Sequence, residues 1–179
     1  NVICEFVGGK LKYLNMSEQG ETLGGVGSSE FLASLGDDDR NNLEIVMGAI
    51  KRQAQMEGLG LHLLAVGGMV DEKKKGLPHK DIDLVLVSPD LAIENSPSGG
   101  ARNFDEFEDF LKEALGRTGW KSETIEPFWD DYARSSDGTV TFLPPSGKSI
   151  ELLPISSHEA EQTIEEYIAN QTRPYSVLF

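Results

Sequence analysis

A single cysteine, Cys4, is the whole thiol complement of this chain. That excludes an intrachain disulfide and any cysteine-rich zinc site. The three histidines, His62, His79 and His158, are too scattered to give metal-ligand spacing. No apolar run approaches the roughly 20 residues of a membrane span, and no signal-peptide segment opens the chain, so no membrane association is expected. Basic residues are scarce: 16 stand against 30 acidic ones, for a net charge of -14. A surface that binds a polyanion broadly needs the opposite balance, which disfavours nucleic acid as a routine partner. A local cluster of lysines can still hold a small phosphate ligand. A reducing, cytoplasmic setting fits this composition. The chain begins with Asn, as expected of a piece of a longer protein.

At 179 residues the length favours one domain with a real core. Val2 to Leu14 alternates apolar residues around Gly8-Gly9, which predicts a hairpin at a sheet edge. Residues 16–27 read as a loop, and Ser29 to Leu35 as a turn or two of helix. Asp37-Asp38-Asp39 is expected to cap the next helix and to lie in solvent. That helix runs to about Glu57, with Leu43, Val46, Ile50 and Ala54 on one face and Gly58 ending it. Leu61 to Val66 and Ile82 to Val87 read as two central strands. A loop follows to Arg102. Asn103 and Glu106 predict a capping box for a helix whose buried stripe is Phe104, Phe107, Leu111, Ala114 and Leu115.

Trp120 to Ile125, Thr139 to Leu143 and Ser149 to Ile155 read as three further strands, the last two as a hairpin. Ser156 and Glu159 predict the start of one last helix carrying Ala160, Ile164, Tyr167 and Ile168. The terminal segment RPYSVLF is expected to dock as an edge strand or to lead into a further domain. The whole is an α+β (α/β-like) arrangement, a mixed β-sheet with helices packed on it. Residues 1–36 form an N-terminal hairpin and loop extension, and residues 37–179 the main domain.

The chemistry concentrates between Leu61 and Val87. Side chains alternate along a strand, so Asp81 and Asp83 point to one face. Two carboxylates that close repel each other, and a divalent cation between them keeps both ionised. Oxygen ligands suit Mg²⁺ or Mn²⁺. Glu151, an acid inside the apolar strand Ser-Ile-Glu-Leu-Leu, is the candidate third ligand. Gly67-Gly68 ends the preceding strand and lets a phosphate approach backbone N–H groups. The connection between the strands carries Lys73, Lys74, Lys75 and Lys80, a positive patch able to hold a triphosphate tail. Gly147-Lys148-Ser149 echoes a P-loop, but Phe142 stands where that motif requires glycine, so it reads as a hairpin turn.

An apolar strand, Gly67-Gly68, a connection of about a dozen residues and Asp81-Ile82-Asp83-Leu84 together resemble the nucleotidyltransferase superfamily. This is the polymerase-beta-like palm, shared by small bacterial nucleotidyltransferases of toxin–antitoxin and abortive-infection systems. The resemblance implies a nucleotidyltransferase-type fold for residues 37–179. It implies that Gly67 and Gly68 meet the nucleotide phosphates, that Asp81 and Asp83 bind two metal ions, and that Glu151 completes the site. The reaction implied moves a nucleoside monophosphate from a nucleoside triphosphate to a hydroxyl of a small molecule or protein. Met69 and Val70 follow Gly68, where the family often carries a serine or threonine. The alternative is a catalytically weakened domain of the same fold, acting as a nucleotide- or partner-binding regulatory module. A partner protein or a missing domain would then complete the site. The blandest reading leaves Asp81 and Asp83 on a solvated strand end.

Overall fold

A computed structural model describes residues 2–7, 10–16, 22–24, 26–74, 77–95, 101–129, 135–136 and 138–179. The elements in chain order are β1 (Val2–Val7), β2 (Lys10–Met16), β3 (Thr22–Gly24), α1 (Ser28–Ser34), α2 (Asp37–Glu57), β4 (His62–Val66) and β5 (Asp81–Val87). Then come β6 (Glu94–Asn95), β7 (Ala101–Arg102), α3 (Phe104–Leu115), β8 (Lys121–Ile125), β9 (Phe128–Trp129) and β10 (Ser135–Ser136). The chain finishes with β11 (Thr139–Leu143), β12 (Ser149–Pro154), α4 (Ser157–Ala160), α5 (Ile164–Ala169) and β13 (Ser176–Val177).

A six-stranded mixed sheet in the order β13-β4-β5-β12-β11-β8 is the centre of an α+β fold. Only the β12–β5 pair is parallel; every other neighbour runs antiparallel. The parallel pair follows from chain path, because the helical crossover through α3 returns the chain to β5 from the far edge. One face of the sheet is apolar at alternate positions: Leu63, Ala65, Ile82, Leu84, Leu86, Ile150 and Leu152 are buried. They pack under α2, through Leu43, Val46 and Ile50, and under α3, through Phe107, Phe110 and Leu111. Fully burying side chains of this kind contributes about 1.5–3 kcal/mol each relative to leaving them exposed.

The opposite face is covered at one end only. Leu64 and Val87 meet Tyr167 and Ile168 of α5 and Tyr175 in a second, smaller cluster. Farther along the same face, toward the start of β5, the sheet carries its acids. The C-terminal segment does dock as an edge strand: β13 pairs with β4, and Leu63 N–H donates to the Phe179 carbonyl at 3.0 Å.

Several elements differ from what the sequence predicts. The β1–β2 hairpin does not extend the main sheet but forms a separate three-stranded sheet with β3. Its Gly8-Gly9 turn lies outside the described residues. Part of the stretch read as a loop is therefore strand. The segment before Arg102 likewise contains the short β6–β7 pair, and residues 96–100 lie outside the described residues. Asn103 makes no side-chain cap; its backbone is left-handed, with φ 68°, a conformation that Asn tolerates better than most residues. The last helix is two helices, because Thr163 and Glu166 form a second capping box that starts α5 afresh after α4 has ended.

The triple Asp is corrected most consequentially. Gly36 is the residue that enters α2, and Asp39 is buried rather than solvated. Its carboxylate accepts the Lys148 backbone N–H at 2.7 Å and an ion pair from Lys148 Nζ. One turn on, Asn42 Nδ2 donates to the Ser146 carbonyl at 2.7 Å. Gly147, at φ 81°, passes so close that an added Cβ would stand 2.8 Å from Asp39 Oδ1. The first turn of α2 thus grips the β11–β12 turn and fixes where β12 begins. We expect Asp39→Ala to destabilise the fold by roughly 2–4 kcal/mol, since it strands a backbone donor and a partly buried ammonium. Urea denaturation of wild type and variant measures this; a change under about 0.5 kcal/mol would mean that the grip contributes nothing.

Candidate metal centre

Asp81 and Asp83 stand on β5 with side chains on the face opposite the main core, while Ile82 between them and Leu84 after them are buried. The parallel pairing sets Glu151 of β12 directly opposite Asp83, and Ser149 opposite Asp81. Ser149 Oγ also donates to the Lys80 carbonyl at 3.3 Å, tying the two strand starts together. Across the sheet one row reads Val66, Asp83, Glu151, Thr141, Glu123. In this register a carboxylate oxygen from each of Asp81, Asp83 and Glu151 lies within 4.8 Å of those from the other two.

Three like charges so close are costly unless something neutralises them. Asp83 shows it. Its pKa is pushed up to about 6, first by burial, then by the charges of Asp81 and Glu151 and a hydrogen bond with Glu151. Among the described residues His79 acts in the opposite direction. A carboxylate held out of its ordinary range by burial and then by neighbouring carboxylates suits a bound cation, and such perturbed groups gather at functional sites. The donor set is all oxygen, which fits a hard divalent ion and does not fit a soft one.

The glycine pair sits against this cluster. Gly67 has φ 77°, a conformation that glycine adopts freely, and a Cβ there would fall 2.1 Å from Asp83 Oδ2. At Gly68 a Cβ would fall 2.5 Å from His79 Cε1. Both glycines therefore make room for protein side chains: Asp83 lies over the first, the His79 ring over the second. His79 Nε2 also lies 3.3 Å from the Lys74 carbonyl, which anchors the ring to the connecting segment. The sequence offered a weak signal for His79, since it stands two residues before the first aspartate.

The predicted lysine patch is described in part. Lys73, Lys74 and Lys80 are exposed, and Lys75 lies outside the described residues. A cavity of about 310 Å³ opens beside Gly68 and His79, and Lys148 is among the described residues that line it. Sequence reasoning passed over Lys148 as part of a turn. Its approach depends on Asp39, more than 100 positions away in the chain.

No protein-family model and no curated protein matches the sequence. Among solved structures the chain is similar to the Thermotoga maritima CCA-adding enzyme complexed with tRNA, at 16% identity and a TM-score of 0.37, over 71% of this chain and 23% of that one. It is similar to a CCA-adding enzyme with CTP at 16% identity and a TM-score of 0.36, over 71% and 23% of the two chains. A complex of CCA-adding enzyme with ATP gives 18% identity and a TM-score of 0.36, over 70% and 23%. The chain thus spans less than a quarter of the length of the enzymes it matches.

The Asp83 environment sets a pH dependence. Because its folded pKa lies above the ordinary 3.8, the folded protein keeps a proton that the unfolded chain has lost between about pH 4 and 6. Stability of the metal-free protein from this group is therefore full below pH 4 and falls as pH rises through 6. Asp83→Asn keeps the shape without the charge. It should be the more stable protein at pH 7, on the order of 1 kcal/mol after solvent screening, with the difference vanishing near pH 4. Thermal melts across this range in chelator test the sign; equal stabilities at pH 7 would remove the repulsion as a feature of the site.

Proposed function

We propose that this chain is a metal-dependent nucleotidyltransferase, moving a nucleoside monophosphate from a nucleoside triphosphate to a hydroxyl group of a small molecule or protein. The observation that carries this reading is the convergence of Asp81, Asp83 and Glu151 beside the Gly67-Gly68 turn. Residues 37–179 form the transferase domain in this reading, and residues 1–36 are an extension. Mg²⁺ or Mn²⁺ would be held by the three carboxylates, and a reducing, cytoplasmic setting belongs to the same reading.

Bound there, a divalent ion supplies charge stabilisation for the transferring phosphoryl group and lowers the pKa of a coordinated hydroxyl. The residues of the chain do the rest. Asp81 and Asp83, fixed on one strand face, set the position of the α-phosphate. The acceptor oxygen attacks the α-phosphorus in line, the bond to the β-phosphate oxygen breaks, and pyrophosphate departs. Glu151 takes the hydroxyl proton at a carboxylate oxygen. The Gly67 backbone, free of a side chain, allows close approach to Asp83.

A second reading has its own observation. Met69 stands where a hydroxyl commonly follows the glycines, and Lys73, Lys74 and Lys80 are exposed, outside the lining of the cavity beside Gly68. Both features fit a domain that binds a nucleotide or a partner without turnover.

Incubation with each α-labelled nucleoside triphosphate, Mg²⁺ or Mn²⁺ and a panel of hydroxyl acceptors distinguishes the two readings. Under the first, pyrophosphate release and label transfer appear and fall at least about 100-fold in Asp81→Asn and Asp83→Asn. Saturable metal–nucleotide binding with no turnover would support the second. No metal binding in the wild-type protein would falsify the first.

A further inference from the structure

The cavity beside Gly68 has a wall with no counterpart in the strand–glycine–aspartate pattern. Helix α1, from the N-terminal extension, lines it through Glu30, Phe31 and Ser34. Met69, Val70, Leu77 and Pro78 line it as well. Gly68 and His79 form the side nearest the carboxylates, since the His79 ring lies over Gly68 and Asp83 lies over Gly67, the residue before it. The cavity therefore lies one residue along the glycine turn from the Asp83 carboxylate.

Its chemistry decides what it takes. A triphosphate tail needs several cations. Among the described residues the lining holds one lysine, Lys148, and its ammonium is already paired with Asp39. Two acids, Glu30 and Asp71, share the lining. The net effect repels a polyphosphate. Apolar walls with a few polar groups at the edge suit a flat, uncharged ring system. Carboxylates that accept from N–H groups favour a base with an exocyclic amine. Asp71 Oδ1 already accepts the Lys73 backbone N–H at 3.0 Å, which leaves its other oxygen and the exposed Glu30 carboxylate as acceptors.

We propose that this cavity receives the base of the nucleoside triphosphate, so that helix α1 of the extension selects the nucleotide, with Glu30 favouring guanine, adenine or cytosine. Uracil offers one N–H flanked by two carbonyl groups, which a carboxylate repels. This inference rests on the nucleotidyltransferase reading and adds to it the residues that choose the base.

Leu77 is 58% exposed, so Leu77→Trp can fill the cavity without disturbing the core. The probes are Mn²⁺ alone, inorganic triphosphate with Mn²⁺, and non-hydrolysable analogues of the four ribonucleoside triphosphates with Mn²⁺, all by calorimetric titration. Leu77→Trp should weaken all four nucleotides about tenfold or more and leave Mn²⁺ and inorganic triphosphate within about twofold of wild type. Glu30→Gln should weaken the guanine, adenine or cytosine analogue that wild type prefers about five- to tenfold and narrow its advantage over the uridine analogue. Nucleotide affinity indifferent to Leu77→Trp, with Mn²⁺ binding intact, overturns the cavity inference and leaves the transferase reading standing. Wild-type protein that binds no Mn²⁺ overturns both.

Discussion

The parallel register between β5 and β12 is the constraint on which the site depends. It sets Glu151 opposite Asp83 and so forces three carboxylates onto one patch of sheet. A slip by one residue would send Glu151 to the buried face, where an unpaired acid is far more costly. The opposite alternation, with Ile150 and Leu152 buried beside Ile82 and Leu84, holds the register from the other side. The core thus enforces a repulsion that it does not itself feel. The energetic strain sits on Asp83, half in solvent, where a cation can relieve it.

The grip of α2 on the β11–β12 turn is the second support. Asp39 and Asn42 satisfy the backbone of a turn that would otherwise be free to move, and they do so at the point where β12 starts. Lys148, the last residue before that strand, is consequently held at the edge of the cavity beside Gly68. Helix capping, core packing and site geometry are here one connected set of contacts. The glycine turn closes it, with Asp83 packed over Gly67 and His79 over Gly68.

Much of this was legible in the sequence. Apolar runs located β4 and β5, a turn between two short runs located β11 and β12, and three- and four-residue spacing located the buried faces of α2 and α3. The Asp81–Asp83 spacing placed both acids on one face, because a strand has a period of two. Local patterns misled where a tertiary partner outcompeted a local role. Asp39 looked like a solvated cap but found a lysine 109 positions away. Asn103 had the identity of a cap but not the geometry.

What the sequence determined by itself is the inventory: two paired acids on one strand, a glycine pair before them, an acid in a later strand, and an α+β set of elements around them. Those follow from periodicity and backbone chemistry, which act over a few residues. Which acid meets which, which lysine lines the cavity, and that α1 and the glycine turn enclose one space were decided only by the tertiary structure. Strand order, register and the closing of long loops depend on burying one continuous apolar face, and that is a property of the whole chain.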